Sequence, residues 1–141
     1  MNKIIRVGVG NVNISPDAFH RWATHYLKCR KDFKSPHKFS PVPYFLLCRA
    51  IELELKARHL RNLTQVEAKE KFWHDLVKSY NALNPVEKNL TQEEQQTLRL
   101  ANQFYEDKGF EYFNPKDALT GYHRFPDLTL LDSIASKLIE T

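Results

Sequence analysis

Four side chains in this sequence have the types and spacing for proton-transfer chemistry: Glu52, Lys56, His74 and Asp75. Glu52 and Lys56 lie one helical turn apart in the favourable acid-before-base order. If the segment carrying His74-Asp75 packs on them, a carboxylate, an amine, an imidazole and a second carboxylate converge. Histidine moves protons near neutral pH, and a neighbouring carboxylate fixes its tautomer. The same residues also suit a polar network that orients two helices, because buried charge is tolerated only when it is paired.

Other chemistries find less support. The histidines at positions 20, 25, 37, 59, 74 and 123 include no His-Glu-x-x-His and no pair four residues apart on one helix, so neither a metal nor a cofactor is expected. Cys29 and Cys48 fall among apolar neighbours and read as buried small hydrophobes of a reducing compartment. No Gly-x-Ser-x-Gly elbow occurs. Gly8-Val9-Gly10 lacks the third glycine and the helix start that a dinucleotide loop requires. Two basic stretches are candidate phosphate contacts: Lys28, Arg30, Lys31, Lys34 and Lys38, then Arg58 and Arg61. They also read as solvated helix ends, where cations are favourable without a ligand. Net charge is only +4, which permits nucleic-acid contact without requiring it.

The elements that must position these residues are helices. Four glycines against seven prolines, most of the latter at helix starts, disfavour a turn-rich β architecture. Ser15-Pro16-Asp17 opens a first helix to about Asp32, with Phe19, Trp22, Ala23, Tyr26 and Leu27 on one face. Ser40-Pro41 opens a second, apolar on two adjacent faces and therefore central. Thr64-Gln65-Val66-Glu67 and Thr91-Gln92-Glu93-Glu94 are capping boxes. They start a helix over 64–83 that buries Trp73, and one from Thr91 to about Lys108 closed by Gly109. Residues 110–126 read as an aromatic-rich ordered loop, and Pro126-Asp127 starts the last helix. The expectation is an all-α, single-domain bundle of about five helices over 1–141, helices two and three central, with a strand or ordered arm over 1–14. No apolar run suits a leader or a membrane span, so a soluble, cytoplasmic protein is expected.

The stretch Pro43-Tyr44-Phe45-Leu46-Leu47-Cys48-Arg49-Ala50-Ile51-Glu52-Leu53-Glu54-Leu55-Lys56-Ala57, then His74-Asp75-Leu76 and Arg124-Phe125-Pro126, resembles HEPN-like helical domains. The resemblance covers 40–126. It implies a homodimeric bundle that engages RNA, a nucleotide or a protein partner, often in bacterial toxin–antitoxin or defence systems. Many such domains are metal-independent endoribonucleases that use an arginine followed at short spacing by a histidine. That motif is missing: Ser35-Pro36 interrupts Arg30 and His37, and His123-Arg124 stand in reverse order. The reading is therefore a non-catalytic binding module. The alternative is a ribonuclease with a non-standard acid/base pair drawn from His74, His123 and Arg124.

Overall fold

The computed structural model describes residues 4–5, 12–13 and 15–140. Ile4–Ile5 (β1) and Val12–Asn13 (β2) pair as a short antiparallel ladder; Gly8 and Gly10 lie outside the described residues. Among the described residues seven helices follow: α1 Pro16–Asp32, α2 Val42–His59, α3 Gln65–Phe72, α4 Leu76–Asn81, α5 Gln92–Glu106, α6 Pro115–Leu119 and α7 Leu128–Ile139. A 3-10 turn at Pro85–Glu87 links α4 to α5. Among the described residues no helix is long and apolar enough to cross a membrane.

The helix starts follow local chemistry. Both capping boxes form: the Thr64 hydroxyl accepts from Glu67 N–H and the Thr91 hydroxyl from Glu94 N–H, while each glutamate returns a bond to the threonine N–H. Ser40 Oγ accepts from Val42 N–H at the start of α2. Ser15 departs from expectation. It stands at the N-cap of α1, yet its buried hydroxyl has no hydrogen-bond partner among the described residues.

α2 is central, as its two apolar faces require. Leu47, Cys48, Ala50, Ile51 and Leu55 are fully enclosed, and the helix packs on α1, α4, α5 and α7. The second central element is α7, whose Leu131, Ile134, Ala135 and Leu138 are buried, rather than the third helix. α3 packs mainly on α4 and is peripheral.

The helix expected over 64–83 is broken into α3 and α4. Asp75 N–H donates to the Phe72 carbonyl at 2.7 Å, closing a turn, and Trp73 has φ 47° and ψ −119°. Those angles belong to the first central position of a type II′ turn, which favours glycine. Asp75 then caps α4 by accepting from Lys78 N–H at 2.9 Å. An aspartate suited to capping here competes with helix continuation.

Exposure corrects three further assignments. Trp22 and Trp73, placed on apolar faces by their spacing, are each 59% exposed, and Cys29 is exposed because α1 buries only one side. The loop over 110–126 contains α6, capped by Asn114. Phe110 and Phe125 join Phe39, Tyr44 and Phe104 in an aromatic cluster, whereas Tyr112 and Phe113 project into solvent.

Candidate functional site

Glu52 anchors a cluster at the contact of α2, the α3–α4 turn and α5. It is 3% exposed, and its two oxygens are surrounded by donors. Oε1 accepts from Arg49 at 2.7 Å and from the Tyr105 hydroxyl at 2.6 Å; Oε2 accepts from His74 Nδ1 at 2.5 Å and faces Lys56 Nζ at 3.6 Å. Burial alone would raise the Glu52 carboxyl. The Tyr105 hydrogen bond, the Lys56 charge and the His74 contact outweigh it and hold the carboxyl below its ordinary range. The ionised carboxylate accepts only, so His74 carries its proton on Nδ1, and in the neutral ring Nε2 holds the lone pair. Burial and the charge of Glu52 push the Tyr105 phenol upward, which keeps it a donor.

Glu52, Lys56 and His74 therefore meet as the sequence suggested, but Asp75 does not join them. Its carboxylate caps α4 and accepts from Asn102 Nδ2 at 3.1 Å, while Asn102 Oδ1 accepts from Leu76 N–H. The members that sequence reasoning missed are Arg49 and Tyr105. Arg49 had a local signal, three residues before Glu52 on one helix face; Tyr105 is distant in sequence and had none.

α2 carries a second such cluster. Glu54, buried two residues along and so toward the opposite side, accepts from His20 Nδ1 at 2.5 Å and pairs with Arg58. Arg58 also reaches Glu87, which Arg61 shares, and donates to the Leu138 carbonyl. The other basic candidates are largely committed too. Arg30 makes a bidentate pair with Asp132, Lys28 pairs with Asp32, and Lys31 pairs with Glu140. Among the described residues, no acidic oxygen lies within salt-bridge distance of Lys34 or Lys38. At the other end of the chain, Arg124 pairs with buried Asp117 and lies over the Phe104 ring, and His123 Nδ1 donates to the Thr120 carbonyl.

Three depressions surround the Glu52 cluster. The largest, about 720 Å³, carries mixed charge: Glu70, Asp75, Glu106, Asp107 and Glu111 line it beside Arg49, Lys71, Lys78 and Lys108. The other two, about 240 and 330 Å³, adjoin one another and share Phe19, Lys56 and Gln65. Lys69, Trp73 and His74 complete one, Trp22 and Arg49 the other, and neither is lined by an aspartate or glutamate among the described residues. This double groove holds Arg49, Lys56 and Lys69 against the single buried carboxylate of Glu52, a net positive surface. No three His, Cys, Asp or Glu side chains among the described residues are grouped to hold a metal ion.

The chain matches no protein-family model, no curated protein and no solved structure at a significant level.

Proposed function

We propose that this protein is a non-catalytic nucleic-acid-binding module, with RNA as its ligand, acting through the double groove on α2. The observation that carries the reading is the groove's charge: its walls supply Arg49, Lys56 and Lys69 and, among the described residues, no acid, whereas five carboxylates oppose four cations around the neighbouring large depression. An acid-free cationic groove favours phosphates by Coulomb attraction and counterion release. Lys28, Arg30 and Lys31 each have an acid of their own and Arg58 and Arg61 share Glu87, whereas Arg49 and Lys56 share the one buried carboxylate of Glu52, which shifts the expected contact surface to the groove. The resemblance to HEPN-like domains is in keeping with this reading.

The test is fluorescence anisotropy of a labelled single-stranded RNA across a salt series. Binding should weaken with a log–log slope of about −0.7 per phosphate contacted, and Lys56→Glu should weaken it at every salt concentration. Absence of binding at low salt by the folded protein would overturn the reading.

A second reading, a metal-independent endoribonuclease, is favoured by one contact: His74 held by Glu52 in the manner of a tautomer-fixed general base. Cleavage of RNA in excess chelator that is lost in His74→Ala would establish it; intact RNA would leave the binding module.

A further inference from the structure

Resting on the nucleic-acid-binding reading, we propose that Trp22 and Trp73 are base-stacking platforms, so that the double groove takes unpaired nucleotides and excludes duplex. The chain has only two tryptophans, and both border the double groove, each 59% exposed. Tryptophan offers a large rigid apolar face, and a helical bundle with a filled core has no folding reason to leave both such faces in water at one place. The cations share the same groove: Arg49 lines the half with Trp22, Lys69 the half with Trp73, and Lys56 both; Arg49 and Lys56 stand two turns apart on α2, about 10 Å along the helix. Lys69 Nζ lies 5.1 Å from the Trp73 ring centroid. Stacked bases with phosphates on intervening cations is the arrangement by which proteins hold single strands, because every base has a π-face and a duplex hides it.

The backbone at Trp73 supports the assignment independently. A bulky residue occupies the turn position that glycine prefers, with φ 47°, and its side chain contributes little to the core. Strain of this kind persists where the side chain does something that glycine cannot. Here the turn carries the indole to the groove rim and the next residue, His74, onto Glu52.

Because both tryptophans lie at the site, intrinsic fluorescence reads it directly. The probes are a single-stranded oligouridylate, an oligothymidylate of equal length, and an RNA duplex of the same charge. Quenching by a single strand and not by the duplex is expected, with Trp22→Leu and Trp73→Leu each lowering affinity roughly tenfold, the scale of one base stack. Trp73→Gly should bind as poorly as Trp73→Leu while its melting midpoint matches or exceeds that of wild type, which separates loss of the platform from loss of fold. RNA-only or sugar-blind binding upholds both proposals; binding of the DNA strand alone keeps the stacking site and overturns RNA as ligand. If single strands bind but the tryptophan variants bind normally and Lys34→Glu with Lys38→Glu abolishes binding, the stacking site and the groove as binding surface both fall, and only nucleic-acid binding itself stands. Equal binding of duplex and single strand overturns the single-strand preference, and no binding by any probe overturns both proposals.

Discussion

Glu52 shows how one buried side chain can organise a cluster drawn from three elements. Its carboxylate is buried, and Arg49, Lys56, His74 and Tyr105 all orient on it. Glu52→Gln keeps the shape but removes the charge, leaving Arg49 and Lys56 without their counter-ion and forcing an amide N–H against a donor. A loss of about 3 kcal/mol is expected, as for other broken buried pairs, read from the urea midpoint at neutral pH. A loss below about 1 kcal/mol would mean that the groups simply re-solvate at the groove. The sequence held part of this cluster in view. Glu52–Lys56 follows from helical spacing, and His74 was paired with them on the assumption of packed helices. Asp75 stands beside His74 in sequence but not in the cluster, because an aspartate before Leu76 satisfies a helix N-terminus instead.

At the scale of elements, legibility tracked how local the signal was. Both capping boxes and the central α2 could be read because each depends on a few adjacent residues. The break between α3 and α4 could not. Trp73, Leu76, Val77 and Tyr80 keep helical period across it, and neither glycine nor proline marks the turn. The end of α5 is an intermediate case. Gly109 was expected to close it, but the left-handed residue is Lys108, with φ 58°. Lys108 N–H donates to the Tyr105 carbonyl and Gly109 N–H to the Phe104 carbonyl at 2.6 Å, a Schellman arrangement. Glycine is needed one position later for room: a Cβ on Gly109 would fall 2.8 Å from Phe104 Cδ1 and 3.2 Å from the Phe104 carbonyl oxygen. Two neighbouring substitutions should therefore act in opposite directions in thermal melts. Lys108→Gly should stabilise by about 1 kcal/mol by removing the left-handed penalty. Gly109→Ala should destabilise by about 1–3 kcal/mol by crowding Phe104. Equal signs would mean that the close approach, or the left-handed cap, is not what sets this helix end.

Across the whole molecule, α7 is held by a ring of charges as well as by its apolar stripe. Arg30 from α1 grips Asp132, Arg58 from α2 grips the Leu138 carbonyl, and Glu94 from α5 accepts from Ser133 and Lys137, each at 2.6 Å. Glu94 also closes the capping box of its own helix by accepting from Thr91 N–H, so one carboxylate starts α5 and clasps α7. Burial works against its ionisation, but the Lys137, Ser133 and Thr91 hydrogen bonds prevail and lower it to about 2. A carboxyl whose folded value lies below its unfolded one contributes stability fully above the unfolded value, near 4.5, and loses it as pH falls through the folded value. Wild-type stability should therefore decline between about pH 4.5 and pH 2. Because Leu131, Ile134, Ala135 and Leu138 are enclosed, α7 has no route to detach alone, so the decline should appear in one cooperative transition shared by all helices. Glu94→Gln should be less stable at neutral pH and show a shallower dependence below pH 4.5, measured as urea midpoints at matched ionic strength. An unchanged slope in Glu94→Gln would place the acid sensitivity elsewhere, with Glu52 the next carboxylate to remove, since it is also held below its ordinary range.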